Sequence, residues 1–253
     1  MKYIQLVFSP TGGTKRVAQT ITSEWSSSVE TLDLTDPANV FSSYQIQEDD
    51  VVLIALPSYG GRVPALAAER LSQIRGNTAQ CVLLCVYGNR AYEDTLVEME
   101  DIAKNSGFTV IAAISAVAEH SIMHQFATGR PDKEDVQQLR EYARNIAEKR
   151  KSKVWNGQLN IPGNRPYKKA GGAGLIPKAT KKCVNCGLCA SQCPAQAIDS
   201  ENLKSADSKK CISCMRCVVN CPHSARKINA AMVSAASLAM KKTCSVRKDN
   251  ELF

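Results

Sequence analysis

Eight of the eleven cysteines in this chain fall between Cys183 and Cys221. They are spaced Cys183, Cys186, Cys189, Cys193 and then Cys211, Cys214, Cys217, Cys221, and each fourth cysteine precedes a proline. The segment KKCVNCGLCASQCP at 181–194 returns as KKCISCMRCVVNCP at 209–222, a repeat of 28 residues that implies a domain with a pseudo-twofold axis. Cysteines crowded at short regular intervals point to metal rather than to disulfides. Two kinds of centre compete for such thiolates, zinc and iron-sulfur. Zinc needs four ligands in tetrahedral geometry, commonly supplied as two spaced pairs. A third cysteine two residues on and a fourth after three more, twice over, exceeds that need and favours iron-sulfur. Three cysteines at this spacing can turn their thiolates toward one cube, while the fourth, ahead of its proline, points away.

These Cys-x2-Cys-x2-Cys-x3-Cys-Pro units resemble those of the two-cluster 4Fe-4S ferredoxins, over about residues 181–230. The resemblance implies two 4Fe-4S clusters whose ligands are exchanged between the units. Cys183, Cys186, Cys189 and Cys221 would bind one, and Cys211, Cys214, Cys217 and Cys193 the other. One departure stands out. The first unit continues CPAQAI, with Ile198 placed to cover a cluster, whereas the second continues CPHSARKI and puts Arg226 where the repeat predicts an apolar residue. Either Ile228 supplies the cover or that cluster is more exposed, with Arg226 able to shift its potential. His223, directly after Cys221-Pro222, is expected to tune or shield a cluster rather than ligate it.

A second chemistry-bearing stretch lies near the other end of the chain. Ser9-Pro10-Thr11-Gly12-Gly13-Thr14 joins a strand-like run to a helical one, offering hydroxyls and backbone N–H groups to an anion. It lacks the Gly-x4-Gly-Lys of nucleotide-phosphate loops and the Gly-x-Gly-x2-Gly of dinucleotide sites. Two more loops, Pro57-Ser58-Tyr59-Gly60-Gly61-Arg62-Val63-Pro64 and Tyr87-Gly88-Asn89-Arg90-Ala91-Tyr92-Glu93-Asp94, mix glycine with tyrosine. Glycine lets backbone approach a flat ring, and tyrosine can stack on its face.

The first loop resembles the phosphate loop of flavodoxins, Ser/Thr-x-Thr-Gly-x-Thr, and the other two resemble the isoalloxazine-contacting loops of that family. The resemblance covers residues 1 to about 150 and implies FMN. Its contacts would be Ser9, Thr11, Gly12, Gly13 and Thr14 in the first loop, Pro57, Ser58, Tyr59, Gly60 and Gly61 in the second, and Tyr87, Gly88, Asn89, Arg90 and Tyr92 in the third. Arg90 either faces the polar edge of the flavin or is a solvated loop charge. His120 and His124, four apart in EHSIMH, lack a third metal ligand and are expected on a surface loop able to cover the flavin edge. No catalytic residue is assigned.

The elements that must position these loops are legible as alternating patterns. Apolar runs at 2–8, 29–34, 51–56, 80–87 and 108–118 predict five strands, the central ones apolar on both faces as a parallel sheet requires. Helical patterns fall at about 14–25, 64–75, 92–106 and 133–150, the last opening after Pro131-Asp132. A further helix is expected in the weakly patterned segment TDPANVFSSYQIQEDD between strands two and three. The fold class predicted is α/β, a flavodoxin-like doubly wound five-stranded parallel sheet, followed by a small α+β two-cluster ferredoxin-like domain. The domains expected are 1–150 for FMN, 151–180 as linker, 181–230 for the clusters and 231–253 as a C-terminal helix and tail. The linker is rich in proline and glycine and is expected to behave largely as a flexible coil, with Trp155, Leu159, Ile161 and Tyr167 packing part of it down. The last helix, about 228–242, is expected to pack through Met232, Ala235, Ala239 and Met240.

The net charge of +8 conceals an asymmetry, −5 over residues 1–150 and +13 over 151–253. A basic half can mark nucleic-acid binding, but no aromatic platform interleaves these lysines, and cations that offset cluster thiolates account for them. Cys81, Cys85 and Cys244 belong to no motif and are read as buried thiols. No apolar run approaches the roughly 20 residues of a membrane-spanning helix, and a cytoplasmic location is expected. The combined pattern resembles the flavodoxin and 4Fe-4S ferredoxin fusion proteins of anaerobic bacteria and archaea. It implies an electron carrier between FMN and two clusters, with redox proteins as partners, neither nucleic acid nor membrane, and room for a homo-oligomer. The alternative is an FMN-dependent reductase of a small acceptor, fed by the clusters.

Overall fold

The structure, a computed structural model, describes residues 1–152, 159–171 and 174–253. Five parallel strands form the central sheet: β1 (Tyr3–Val7), β2 (Val29–Asp33), β3 (Val51–Pro57), β4 (Gln80–Tyr87) and β5 (Thr109–Val117). Their order is β2-β1-β3-β4-β5, the flavodoxin order, so the chain reverses direction across the sheet beside β1 and β3. β3 is buried at every residue, as its unbroken apolar sequence demands. Helices α1 (Gly13–Thr22) and α4 (Lys133–Ser152) cover one face through Val17, Ala18, Ile21, Leu139, Ala143 and Ile146. Helices α2 (Ala65–Ser72) and α3 (Thr95–Asn105) cover the other through Ala67, Leu71, Leu96, Met99 and Ala103. The first part of the chain is therefore an α/β, flavodoxin-like doubly wound domain.

Three expectations are corrected. The segment between β2 and β3 forms only a single 3-10 turn, Phe41–Ser43. Short polar side chains there bond to nearby backbone instead of letting a helix propagate: Asp33 accepts from Thr35 N, Asp36 from Ala38 N, and Asn39 donates to Asp33 O. Phe41 and Ile46 still cap that end of the sheet from the core side. The sheet also has a sixth strand. The C-terminal residues Glu251–Leu252 pair antiparallel with β5, so the end of the chain closes the exposed edge of the first domain. The tail is thus part of that sheet rather than a separate appendage.

The helix before the tail spans Ala230–Cys244 and is capped by Asn229, whose side chain accepts from Met232 N. It packs through Val233, Ala236, Met240 and Cys244 onto Met123 and Phe126. That face is rotated from the one expected, and Met232 is 48% exposed.

Residues 159–171 are stapled along α3 rather than free. Asp94 accepts from the Asn164 amide, the Asn164 side chain and the Lys168 amide, Arg165 bridges Glu100 and Asp101, and Tyr167 bonds Asp101. Ile161 packs on the core beneath, while Trp155 lies outside the described residues.

The second domain is small. Its two short strands, β6 (Lys178–Ala179) and β7 (Arg226–Lys227), pair antiparallel, and two single-turn helices, α5 (Leu188–Ser191) and α6 (Arg216–Val219), each carry the third cysteine of a triplet, Cys189 and Cys217. The C-terminal helix and strand described above complete the count as α7 and β8. No helix among the described residues is long and apolar enough to cross a membrane.

Candidate functional site

The 28-residue repeat is written into the backbone. Left-handed residues recur in register at Asn185 and Ser213, Gly187 and Met215, and Gln196 and Ser224. In each unit the residue four after the last cysteine donates its amide to that cysteine's sulfur, Ala197 N to Cys193 Sγ at 3.3 Å and Ala225 N to Cys221 Sγ at 3.2 Å. Asn220 donates to Gln192 at 2.6 Å, joining two repeat-equivalent positions across the pseudo-axis.

This arrangement brings Cys193 of the first unit together with Cys211, Cys214 and Cys217 of the second around one cavity. Its other walls are apolar, among them Pro194, Ala197, Ile198, Ile212 and Met215. Cys183, Cys186, Cys189 and Cys221 occupy the repeat-equivalent positions, with Cys186 exposed. None of the cysteines among the described residues is in a disulfide. Among the described residues no three ligating groups converge closely enough for a single ion. Four thiols around one apolar cavity are a donor set that suits an iron-sulfur cube.

Two buried guanidinium N–H groups, Arg216 Nε and Arg226 Nε, find no partner among the described residues. Buried orphan donors in a cysteine-rich domain fit the presence of an acceptor-rich group. Arg226 is 2% exposed and its Nη1 stands 3.8 Å from Cys189 Sγ, so an arginine is buried in the second unit where the first has Ile198. His223 is exposed, and its backbone amide bonds toward the Cys221 sulfur.

The other predicted loops meet at the carboxyl ends of the strands, where doubly wound folds bind ligands. They line a cleft of about 510 Å³, the usual size of a cofactor site. Ser9, Thr11, Gly13, Thr14, Pro57, Ser58, Tyr59, Gly60, Tyr87, Gly88 and Arg90 all face it. Gly12 sits at φ +90° as the N-cap of α1 with no side-chain cap, and among the described residues the Gly13 and Thr14 amides find no acceptor. Ser9 Oγ takes the next amide, Lys15 N, at 2.9 Å, and Thr35 Oγ1 anchors Ser9 N at 2.7 Å. The result is an uncapped helix start held open by its loop, which fits a phosphate.

Gly88 permits the closest approach in the cleft, since a Cβ there would meet the His120 ring at 2.7–2.9 Å. His120 Nδ1 accepts from the Ile122 and Met123 amides, both at 3.2 Å, so the ring proton rests on Nε2. His120 therefore lines the cleft instead of lying on an open loop, while His124 is exposed and bonded to Glu119. Burial, aided by the charge of His124, lowers the His120 pKa.

Other expected contacts are engaged elsewhere. Asn89 is 3% exposed and binds the C-terminal segment, donating to Cys244 O and Val246 O and accepting from Lys248 N. Tyr92 stacks edge-on against Tyr87 and donates to Glu251. Gly61 is buried against Glu93. Arg90 reaches the cleft, but Glu93 holds it at 3.1 Å.

Residues not anticipated in the sequence complete the cleft. Ile122, Met123, Ala236 and Met240 form an apolar wall, and Ile212 and Ser213 close it from the second domain. Burial pushes the Tyr59 phenol well above its ordinary value, although part of the residue stays exposed, and the neighbouring Cys214 adds to the effect. Arg70 of α2, 7% exposed, donates to Leu34 O and across the boundary to Pro194 O, both at 2.6 Å. No periodicity marks the contacts across the boundary, because Tyr59 with Cys214 and Arg70 with Pro194 join positions more than 100 residues apart.

Residues 182–226 match the family model of the 4Fe-4S dicluster domain, which gives this part of the chain two 4Fe-4S clusters as cofactors. No curated protein matches the chain. Among solved structures, a flavodoxin of Streptococcus pneumoniae is 18% identical over 58% of this chain and 97% of its own, with a TM-score of 0.40. A flavodoxin from the domain Archaea is 18% identical over 60% and 99% (TM-score 0.43), and flavodoxin 2 of Bacillus cereus 14% over 59% and 99% (TM-score 0.44). At these scores the likenesses carry no weight of their own; the fold rests on the strand order. The chain joins a flavodoxin-like fold to a 4Fe-4S dicluster domain.

Proposed function

We propose that the protein moves electrons between FMN, seated in the cleft at the carboxyl ends of the strands, and two 4Fe-4S clusters, and exchanges them with a redox partner protein. When bound, FMN supplies exchange of one or two electrons and each cluster supplies one. The observation that carries this reading is the shared wall. Ile212 and Ser213 lie between the ligand candidates Cys211 and Cys214 and also line the flavin cleft.

In this reading Thr11, Thr14 and the Gly13 amide bind the phosphate, Ser9 orients that loop, and Tyr59, Gly60, Tyr87 and Gly88 flank the ring. Cys193 joins Cys211, Cys214 and Cys217 on the inner cluster, and Cys221 joins Cys183, Cys186 and Cys189 on the outer one. Residues 1–150 with the C-terminal strand form the FMN unit, 151–180 link it, and 181–230 form the cluster unit. Arg70 and the stapled linker hold the two units docked without relying on collision. A partner would meet the outer cluster where Cys186 and Val184 are exposed beside Lys181 and Lys182, a surface suited to an acidic protein.

The test is cofactor analysis of anaerobically purified protein. About eight irons per chain, a count that follows from two four-iron clusters, and one FMN are expected. Thr11→Ala with Thr14→Ala should remove the flavin absorbance and leave the iron. Unchanged FMN content in that variant, or a colourless chain carrying zinc, would refute the assignment.

The reductase alternative draws on one observation, the His120 Nε2–H beside the apolar wall of the cleft, which could donate to a bound acceptor. Steady-state turnover with small quinones or nitro compounds, lost in His120→Ala, would favour it.

A further inference from the structure

Arg226 occupies the repeat position of Ile198, and the two surroundings differ in charge. Ile198 is an apolar wall of the cavity formed by Cys193, Cys211, Cys214 and Cys217. Arg226, 28 residues on, takes the equivalent place in the second unit, and its Nη1 stands 3.8 Å from Cys189 Sγ. Its guanidinium also donates to Leu203 O at 2.6 Å and Pro177 O at 2.8 Å, and its Nε finds no partner among the described residues. The described partners of this cation are carbonyls and a thiol, with no carboxylate among them. A cation 2% exposed and without an anion is unfavourable unless something negative lies beside it.

The two cysteine sets also differ in position. The set containing Cys211 and Cys214 adjoins the flavin cleft through Ile212 and Ser213, whereas the set containing Cys186 opens to solvent. Reduction adds one negative charge to a cluster, and a cation held nearby in a poorly solvated interior favours the reduced form. The charge of Arg226 reaches Cys211 and Cys217 as well, but it contacts a sulfur of the outer set only.

We propose that Arg226 is a positioning residue for electrons, a fixed counter-cation that holds the potential of the outer cluster above that of the inner one. Electrons leaving the flavin cleft then come to rest at the solvent-facing end, one per cluster, with no bond made or broken. The proposal rests on the two-cluster reading above.

Its test is an anaerobic potentiometric titration of the full chain followed by electron paramagnetic resonance, after iron and sulfide have been counted. A chain short of eight irons would refute the underlying reading rather than this one. With the irons present, two distinct midpoints are expected, and Cys186→Ser should alter or remove the higher. Arg226→Ile, which copies the residue at 198, should lower that midpoint toward the other, while Arg226→Lys should keep the gap. If Arg226→Ile fails to load its clusters, Arg226→Gln removes the charge and keeps an N–H donor, and the same fall is expected. Equal midpoints in the unaltered protein, alteration of the lower one by Cys186→Ser, or an unchanged gap in a loaded Arg226→Ile or Arg226→Gln chain would each overturn the proposal.

Discussion

A single methyl group at Gly88 should be felt at the flavin. The φ of Gly88 lies in the ordinary range, so alanine there brings no backbone strain, and the whole effect comes from contact. The new Cβ would lie 2.7 Å from His120 Cδ2 and 2.9 Å from its Cβ and Cγ, closer than carbon atoms tolerate. The ring cannot simply rotate away. Its Nδ1 holds the Ile122 and Met123 amides, and its edge rests on Phe126 with centroids 6.4 Å apart. The 119–126 loop must therefore shift as a unit, and that loop is a wall of the cleft. Overpacking of this kind costs about 1–3 kcal/mol. If the cost falls on the binding-competent arrangement, FMN affinity drops by roughly 5- to 150-fold. Fluorescence titration of the flavin-stripped protein with FMN measures it. His120→Ala in the Gly88→Ala background removes the Cδ2 and Cγ overlaps, leaving only the 2.9 Å contact to its Cβ, and should recover part of the loss. A Gly88→Ala protein that binds FMN within about twofold of the unaltered chain would refute the reasoning.

Four further outcomes are expected. His120 is held below its ordinary value near 6.5, so the unfolded chain takes up a proton more readily than the folded one. Its contribution to stability is complete above that pH and is lost as the pH falls below it; urea midpoints at about pH 5 and about pH 8 should show the loss, reduced in His120→Gln, and an identical loss in the variant would contradict this. Asp135→Ala leaves the Arg130 guanidinium, 5% exposed, without its anion and should destabilise the fold by about 3–5 kcal/mol, read from thermal or urea unfolding; a loss under about 1 kcal/mol would refute the pairing. Arg70→Ala removes the bonds to Leu34 O and Pro194 O, so amide exchange at Ile212 and Ser213 should accelerate if that side chain latches the second domain, and unchanged protection would argue otherwise. Burial pushes the Cys81 and Cys85 thiols far above their ordinary range, so native alkylation followed by mass spectrometry should leave both unmodified while Cys186 in cluster-depleted protein reacts.

The clearest signals in the chain were local ones. β4 spans the predicted residues 80–87, and β1, β2, β3 and β5 lie within a residue or so of their apolar runs, because alternation and burial act on consecutive residues. The three loops meet on one edge because parallel strands joined by short crossovers present their carboxyl ends together. Three failures share a cause. Asn89 looked like a flavin contact by its neighbours but turns to residues 244–248, Tyr92 turns to Glu251, and the packing face of α7 is chosen by Met123 and Phe126. In each case the deciding partner is about 100 residues or more away, and side-chain type alone does not say which partner wins.

By itself the sequence determined the two cofactor chemistries, since thiolate spacing and a glycine-threonine turn before a helix are short-range requirements met within a dozen residues. Its run of buried strands also marked a parallel sheet, whose doubly wound order came only through the resemblance to flavodoxins. Only the tertiary structure decided which cysteine set faces the flavin cleft, that the C-terminal residues close the sheet, and that Arg226 is buried without an anion. Those outcomes depend on how two separately encoded surfaces dock, and docking is settled by shape and charge summed over contacts that have no neighbourhood in the chain.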